Sequence, residues 1–371
     1  MTVSISGTNG VTFPDSSLQT AAASPFGLKN RIINGDMRID QRNAGASVAS
    51  PSDTYTLDRF YSRQVGGGVA SIQQSSTAPT GFNNSLLFTV TTADSSIVTT
   101  DRYYIRQSIE GYNVSDLGWG TANAQTITLS FWVRSSVTGT FGGSLQNDAV
   151  DRSYIFTYSI SSANTWEQKT VTIAGDTSGT WLKTNGAGLI VQWSLGMGPT
   201  YLTSAGSWTS GNYLSATGST NLIATNGATW YITGVQLEIG TSATPFERRM
   251  YGQELALCQR YYYRFNPAGS GSNTLGIGFA DSTTSSQHTH FFPIPMRTNP
   301  TALEQSGTAG NYAIRYTGAS VATCSSVPTF SDANTTNATF NLTVSSGLTG
   351  GQSVAGRAVN TSAWLAWSAE L

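Results

Sequence analysis

Two strand-like runs put aromatic and polar side chains where they can meet a ligand. In ITLSFWVR (127–134), Ile127, Leu129, Phe131 and Val133 share one face by simple alternation, and Thr128, Ser130, Trp132 and Arg134 share the other. By the same rule Trp230, Gln236 and Glu238 share a face further along the chain. An indole offers a flat apolar surface to the C–H face of a sugar ring, and Arg, Gln or Glu can bond its hydroxyls. If both runs lie in one sheet, Trp132, Arg134, Trp230 and Gln236 form a platform for a neutral polar ligand. The competing reading packs the same side chains under a loop or against another subunit. Trp119 and Trp208 stand in the Gly/Ser-rich loops DLGWG and AGSWTSG, as further ligand contacts or as plugs over the core.

The other reactive residue types point away from catalysis. His288 and His290, the only histidines, would face one way on a strand and as a pair can bind a transition metal. Phe292, Ile294 and Met296 continue that face, which is the pattern of a buried strand. Two histidines two residues apart, with no Gly-x-Ser-x-Gly elbow, do not make a nucleophilic triad. Asp36/Asp40 and Asp53/Asp58 are close in sequence, but that does not set them across a cleft as a glycosidase requires. There is no phosphate loop and no zinc spacing. The expectation is a protein that is not an enzyme.

Composition sets the frame that must hold these groups. The chain has 371 residues, 11% of them charged, with a net charge of -1; an ordinary soluble domain has roughly 25% charged residues. No basic stripe suggests nucleic acid. No run reaches the roughly 18 apolar residues of a membrane span, and no secretory leader is apparent, so a soluble product of the cytoplasm is expected. Short Thr/Val/Tyr/Phe/Trp runs divided by Gly, Ser and Asn predict an all-β chain. Cys258 and Cys324 are expected to be free thiols.

Four segments follow. Residues 1–27 form a short β leader, with alternation at Val3/Ile5 and Val11/Phe13 around a Thr8-Asn9-Gly10 turn; the leader is too short for a core of its own and needs a partner. Residues 28–247 carry many short strands, as in a large jelly-roll sandwich, with Leu189, Val191, Trp193 and Leu195 in its core. Residues 248–264 are read as a connecting helix, with Leu255, Cys258 and Tyr262 at helical spacing. Residues 265–371 form a smaller β-sandwich tip. There Leu275, Ile277 and Phe279 alternate, as do Phe340, Leu342 and Val344, and the apolar end (Leu365, Trp367, Ala369, Leu371) is expected to be built into a sheet or an interface.

Several of these segments resemble bacteriophage tail fibre or receptor-binding proteins. ISGTNGVTFPDSSLQTAA is similar to fibre N-termini, with Ser16 where Gly is common. NRIINGDMRIDQRN resembles the opening of their carbohydrate-binding-module-like jelly roll, and GVQLEIGTSATPFERR followed by ELALCQRYY resembles its close. SFWVRSSVTGTF and the Trp166, Trp181 and Trp193 region lie between them. The likeness covers roughly 1–265, and its strength is the order of several unrelated motifs; FFPIPMRTNPT is a looser match to fibre tips.

The resemblance implies a homotrimer, a virion location after synthesis in the host cytoplasm, attachment to a tail or adaptor protein through residues 1–27, and binding of host surface polysaccharide or lipopolysaccharide. No cofactor is required, though related sandwiches often carry calcium near their first and last strands, where Asp36 and Glu238 match. In a trimer His288 and His290 could gather six imidazoles on the axis, and Leu255, Cys258 and Tyr262 could clasp three helices together. Three functions follow: a trimeric adhesin, which the motifs favour, a tailspike-like enzyme that cuts polysaccharide, or a structural adaptor.

Overall fold

The computed structural model describes residues 4–6, 10–12, 18–19, 29–49, 53–267, 274–318 and 320–371. In the leader, strand Gly10–Thr12 pairs with Ser4–Ser6 and with Leu18–Gln19. Thr8, Asn9 and Phe13 of the expected hairpin pattern lie outside the described residues.

Alternating apolar residues drive two antiparallel sheets face to face. The first has six strands, in the order Glu167–Ile173, Ile127–Ser135, Thr229–Ile239, Ser85–Thr92, Val69–Ser75, Val48–Ala49. The second has seven and is centred on Ala187–Met197. Ile127, Leu129, Phe131 and Val133 of one sheet and Leu189, Val191, Trp193 and Leu195 of the other are buried in a common core, as their alternation predicts. The outer face of the seven-stranded sheet is roofed: Tyr201, Leu202 and Leu214 pack onto Tyr61, Tyr104 and Met197. The outer face of the six-stranded sheet keeps a half-exposed central strip.

The connecting helix is shorter than the expected 248–264. It spans Tyr251–Gln259, and Tyr262–Phe265 is a strand paired with Leu365–Ser368. Three consecutive tyrosines favour a pleated, half-buried setting over a helical turn, and the amide of Ala369 bonds the carbonyl of Tyr261 at 2.7 Å. Among the described residues no helix is long and apolar enough to cross a membrane. The tip has a three-stranded sheet that includes Leu365–Ser368, as the apolar end of the sequence suggested, and a seven-stranded sheet in the order Val321–Thr323, Tyr312–Arg315, Ser353–Ala358, Thr274–Ala280, Ser285–Phe291, Asn337–Thr343, Thr329–Ala333.

Leu275, Ile277 and Phe279 do not share a face as expected. A register shift between Thr274 and Gly276 resets the alternation, so Leu275 enters the core while Ile277 and Phe279 point out. Phe340, Leu342 and Val344 are all buried. Cys258 and Cys324 are buried free thiols.

A buried ionic joint ties tip to sandwich. Arg59 pairs with Glu370 and lies 3.5 Å from the centre of the Tyr261 ring. Arg260 pairs with Glu110 at 2.6 Å, and Tyr261 Oη donates to the same carboxylate at 2.7 Å. Arg297 donates to the carbonyls of Asn185, Ala369 and Glu370 at 2.6–2.7 Å. Removing one partner of a buried pair strands the other charge at a cost of about 3–5 kcal/mol. Arg59 is 1% exposed, so Glu370→Ala is expected to destabilise the chain by about that much in urea titrations followed by tryptophan fluorescence. A loss below about 1 kcal/mol would show that water reaches Arg59.

Candidate functional site

The central strip of the six-stranded sheet owes its composition to one bulge. Ser130 pairs with Gln236 but Trp132 pairs with Thr233, so Gly234 and Val235 together oppose Phe131. Gly234 has φ +60°, a left-handed value that costs glycine nothing, and a Cβ there would run into Phe82 at 2.7 Å and Trp132 at 3.0 Å. The bulge resets the alternation of its strand. Trp230 and Ile232 face the core before it, and Val235 and Leu237 face the core after it.

The bulge separates the residues expected to form one platform. Trp230 is fully buried and donates from Nε1 to Tyr158 Oη at 3.2 Å. Gln236 and Glu238 do lie on the opposite face, but both are buried beneath the 240–247 loop. Gln236 Oε1 accepts from the amide of Glu247 at 2.7 Å, and Glu238 accepts from the amide and hydroxyl of Thr244 at 2.9 and 2.7 Å. They clamp the loop and are withdrawn from ligand. Trp119, Trp181 and Trp208 pack edge to face at 4.7–5.3 Å, each with its N–H bonded to a backbone carbonyl. Trp119 and Trp208 therefore plug the end of the core.

Trp132 and Arg134 do reach the outer face, half-buried. Arg134 lies directly across from Tyr231 and stacks on its ring at 5.0 Å. Trp166 meets the same ring edge-on at 6.0 Å. Arg134 Nε donates to the carbonyl of Asn164 at 2.9 Å, which pins the turn carrying Trp166; its terminal nitrogens make no protein bond among the described residues. Beyond Trp132 lie Phe82 and Phe246, 5.2 Å apart, with the exposed Arg248 stacked on both. The strip is thus aromatic, half-wet and flanked by two guanidinium groups. Such a surface can stack on apolar ring faces and donate to hydroxyl, carboxylate or phosphate oxygens. Tyr231, Phe82 and Arg248 were missed from sequence; the signal that could have found Tyr231 was a lone glycine inside a strand.

The metal and clasp residues are placed elsewhere. Asp36 pairs with Arg38 at 2.5 Å, and burial raises its pKa from the usual carboxylate value. Glu238 is held by Thr244 and Gln236, so each of the two carboxylates expected at a calcium site has protein partners of its own. Among the described residues no group of three or more His, Cys, Asp and Glu side chains forms a metal cluster. His288 and His290 point into the tip core. The amide of Gly356 donates to His288 Nδ1 at 3.1 Å, so Nε2 carries the proton toward Ser286 Oγ at 2.8 Å. His290 stacks on Trp367 at 5.0 Å. An axial metal held by these imidazoles is incompatible with that burial. Cys258 and Tyr262 are likewise buried within one chain, and Leu255 packs with Leu257 against the cluster of Ile33, Ile39 and Tyr261, so the expected helical clasp is already occupied.

No family model matches the chain, and no curated protein does. Among solved structures, it is similar to the enzymatically active domain of tailspike protein 4 of bacteriophage CBA120, at 12% identity and TM-score 0.31, covering 57% of this chain and 21% of that one. It is also similar to a sugar-binding protein of Bacteroides thetaiotaomicron, at 11% identity and TM-score 0.34, covering 57% of this chain and all of that one. A third is a family 11 carbohydrate-binding module of Clostridium thermocellum in complex with a mixed-linked tetrasaccharide, at 10% identity and TM-score 0.27, covering 53% and 98%. The chain spans about a fifth of the length of the tailspike domain.

Two outcomes test this local account. Gly234→Ala should cost about 2 kcal/mol in chemical unfolding and change the fluorescence of Trp132; an unaltered midpoint would remove the bulge as the organising element. Burial lowers His288 to about 4 from its ordinary 6.5, so the folded state prefers the neutral ring. Its stabilising effect is complete above about pH 6.5 and is lost as pH falls through 4, by at most about 3 kcal/mol. The melting temperature of the wild type should fall over that window more steeply than that of His288→Gln.

Proposed function

We propose that this chain is a non-enzymatic adhesin of a bacteriophage tail fibre, and that it holds cell-surface glycan on the outer strip of its six-stranded sheet. The observation that carries the binding is the alignment of Trp132, Tyr231, Trp166 and Arg134 on a half-exposed face. The aromatic rings receive the C–H faces of sugars, and the free ends of Arg134 and Arg248 receive hydroxyls or the acidic groups of lipopolysaccharide. The fibre assignment is supported by the ordered motifs in residues 1–265. On this reading three copies assemble into one fibre, and residues 1–27 dock to a tail or adaptor protein. Three weak sites per fibre then gain avidity through effective concentration.

The enzymatic alternative needs two carboxylates flanking a bond. Glu238, which shares the face of Trp132 and Arg134, is buried under the 240–247 loop and held there by the amide and hydroxyl of Thr244. That arrangement favours holding over cutting.

The purified chain is expected to be retained by immobilised bacterial lipopolysaccharides or capsular polysaccharides from a broad panel, with free polysaccharide as competitor. Trp132→Ala combined with Tyr231→Ala should weaken retention by about tenfold or more, and Arg134→Ala should matter most for acidic glycans. Release of reducing ends from the panel would establish the enzyme instead, and no retention by any member would favour the adaptor.

A further inference from the structure

The tip carries an apolar surface that the proposed glycan strip does not use. On the outer face of its seven-stranded sheet Ile277 is 63% exposed, Phe279 51%, Phe291 66% and Val321 51%. The register shift at Thr274–Gly276 turned Ile277 and Phe279 outward. A shallow cavity of about 870 Å³ lies among Ile277, Phe279, Phe291, Arg315 and Tyr316. Clustered exposed apolar groups of this kind mark an interaction site.

The charges at its edges say what covers it. One cross-strand row runs over all seven strands. It starts with Val321 opposite Arg315, continues through Ala355 to Ile277, and passes Thr289 and Thr339 to end at Asp332. Arg315 and Asp332 thus stand near opposite edges, and with strands about 4.8 Å apart the row is roughly 29 Å long. Among the described residues the Arg315 side chain reaches only the carbonyl of Gly318, at 3.4 Å, and the Asp332 carboxylate only the amide of Ala333, at 2.8 Å. Neither has an opposite charge within its own chain among the described residues.

We infer that this face is a seam between copies of the chain. A rotation axis parallel to the strands and in front of the face brings the Arg315 edge of one copy to the Asp332 edge of the next. It gathers Ile277, Phe279 and Phe291 near the centre, away from water. Two-fold and three-fold closure both satisfy the pairing, since each repeats the same edge-to-edge contact. A glycan has no matching pattern of an apolar centre between one positive and one negative edge. The seam does not depend on the sugar strip, which lies on the other domain.

Light scattering and sedimentation of the full chain should give three times the 39.2 kDa monomer mass if the seam builds the three-copy fibre proposed above; twice that mass would keep the seam and overturn the three-copy reading. Arg315→Glu and Asp332→Arg should each raise the dissociation constant by about tenfold or more, and the two together in one chain should restore association. Phe291→Ser should also weaken it. All three residues are exposed, so unchanged melting curves would show that folding is intact. A wild-type monomer at micromolar concentration would overturn the seam, and so would oligomers indifferent to all three substitutions. Loss of polysaccharide retention in Phe291→Ser at unchanged mass would make the face a ligand surface instead.

Discussion

A strand sends each side chain to one of two faces, and only an inserted residue can change which. Two such insertions decide what this molecule shows to its surroundings. At Gly234 the insertion sends Trp230 inward and leaves Tyr231 beside Arg134 on the outer strip. At Thr274–Gly276 it sends Leu275 inward and leaves Ile277 and Phe279 on the outside of the tip. Without these shifts each strand would have to expose part of its core set or bury part of its surface set. The two bulges therefore create both surfaces to which a role is assigned.

The second organising element is electrostatic. With so few charges in the sequence, a disproportionate number meet at the joint between sandwich and tip. Arg59, Glu370, Arg260, Glu110 and Arg297 are joined there through one another and through Tyr261. Buried charges are costly, but geometrically demanding once formed. They fix the orientation in which the tip is presented relative to the outer strip of the six-stranded sheet, which apolar contact alone would leave free to slide.

Much of the architecture could be read from alternation alone. Leu189 to Leu195 and Phe340 to Val344 alternate without interruption, and they lie where that pattern puts them. The errors of strand face share one physical origin. Trp230, Ile277 and Phe279 were each assigned by extending parity across a bulge, and a bulge leaves little trace in sequence beyond a glycine. The helix was extended through Tyr262 because Leu255, Cys258 and Tyr262 recur at helical spacing; the pairing with Leu365–Ser368 that decides the matter lies about a hundred residues away. Of the residues proposed from sequence for a glycan, Trp132 and Arg134 lie on the outer face because their own strand carries no inserted residue, whereas Gln236 and Glu238 are buried under a loop whose path no local pattern encodes.

The Arg59–Glu370 pair also has a consequence in time. Its partners are 311 residues apart, and a ribosome adds roughly 5–20 residues per second. Arg59 is therefore made roughly 15–60 s before the matching carboxylate exists. Through that interval the Arg59 guanidinium has the carbonyl of Ser108 within reach but not the Glu370 carboxylate. The Arg59–Glu370 contact can therefore form only after the strands around Arg59 have long been made, so it locks the tip onto a sandwich whose chain is already available to pair.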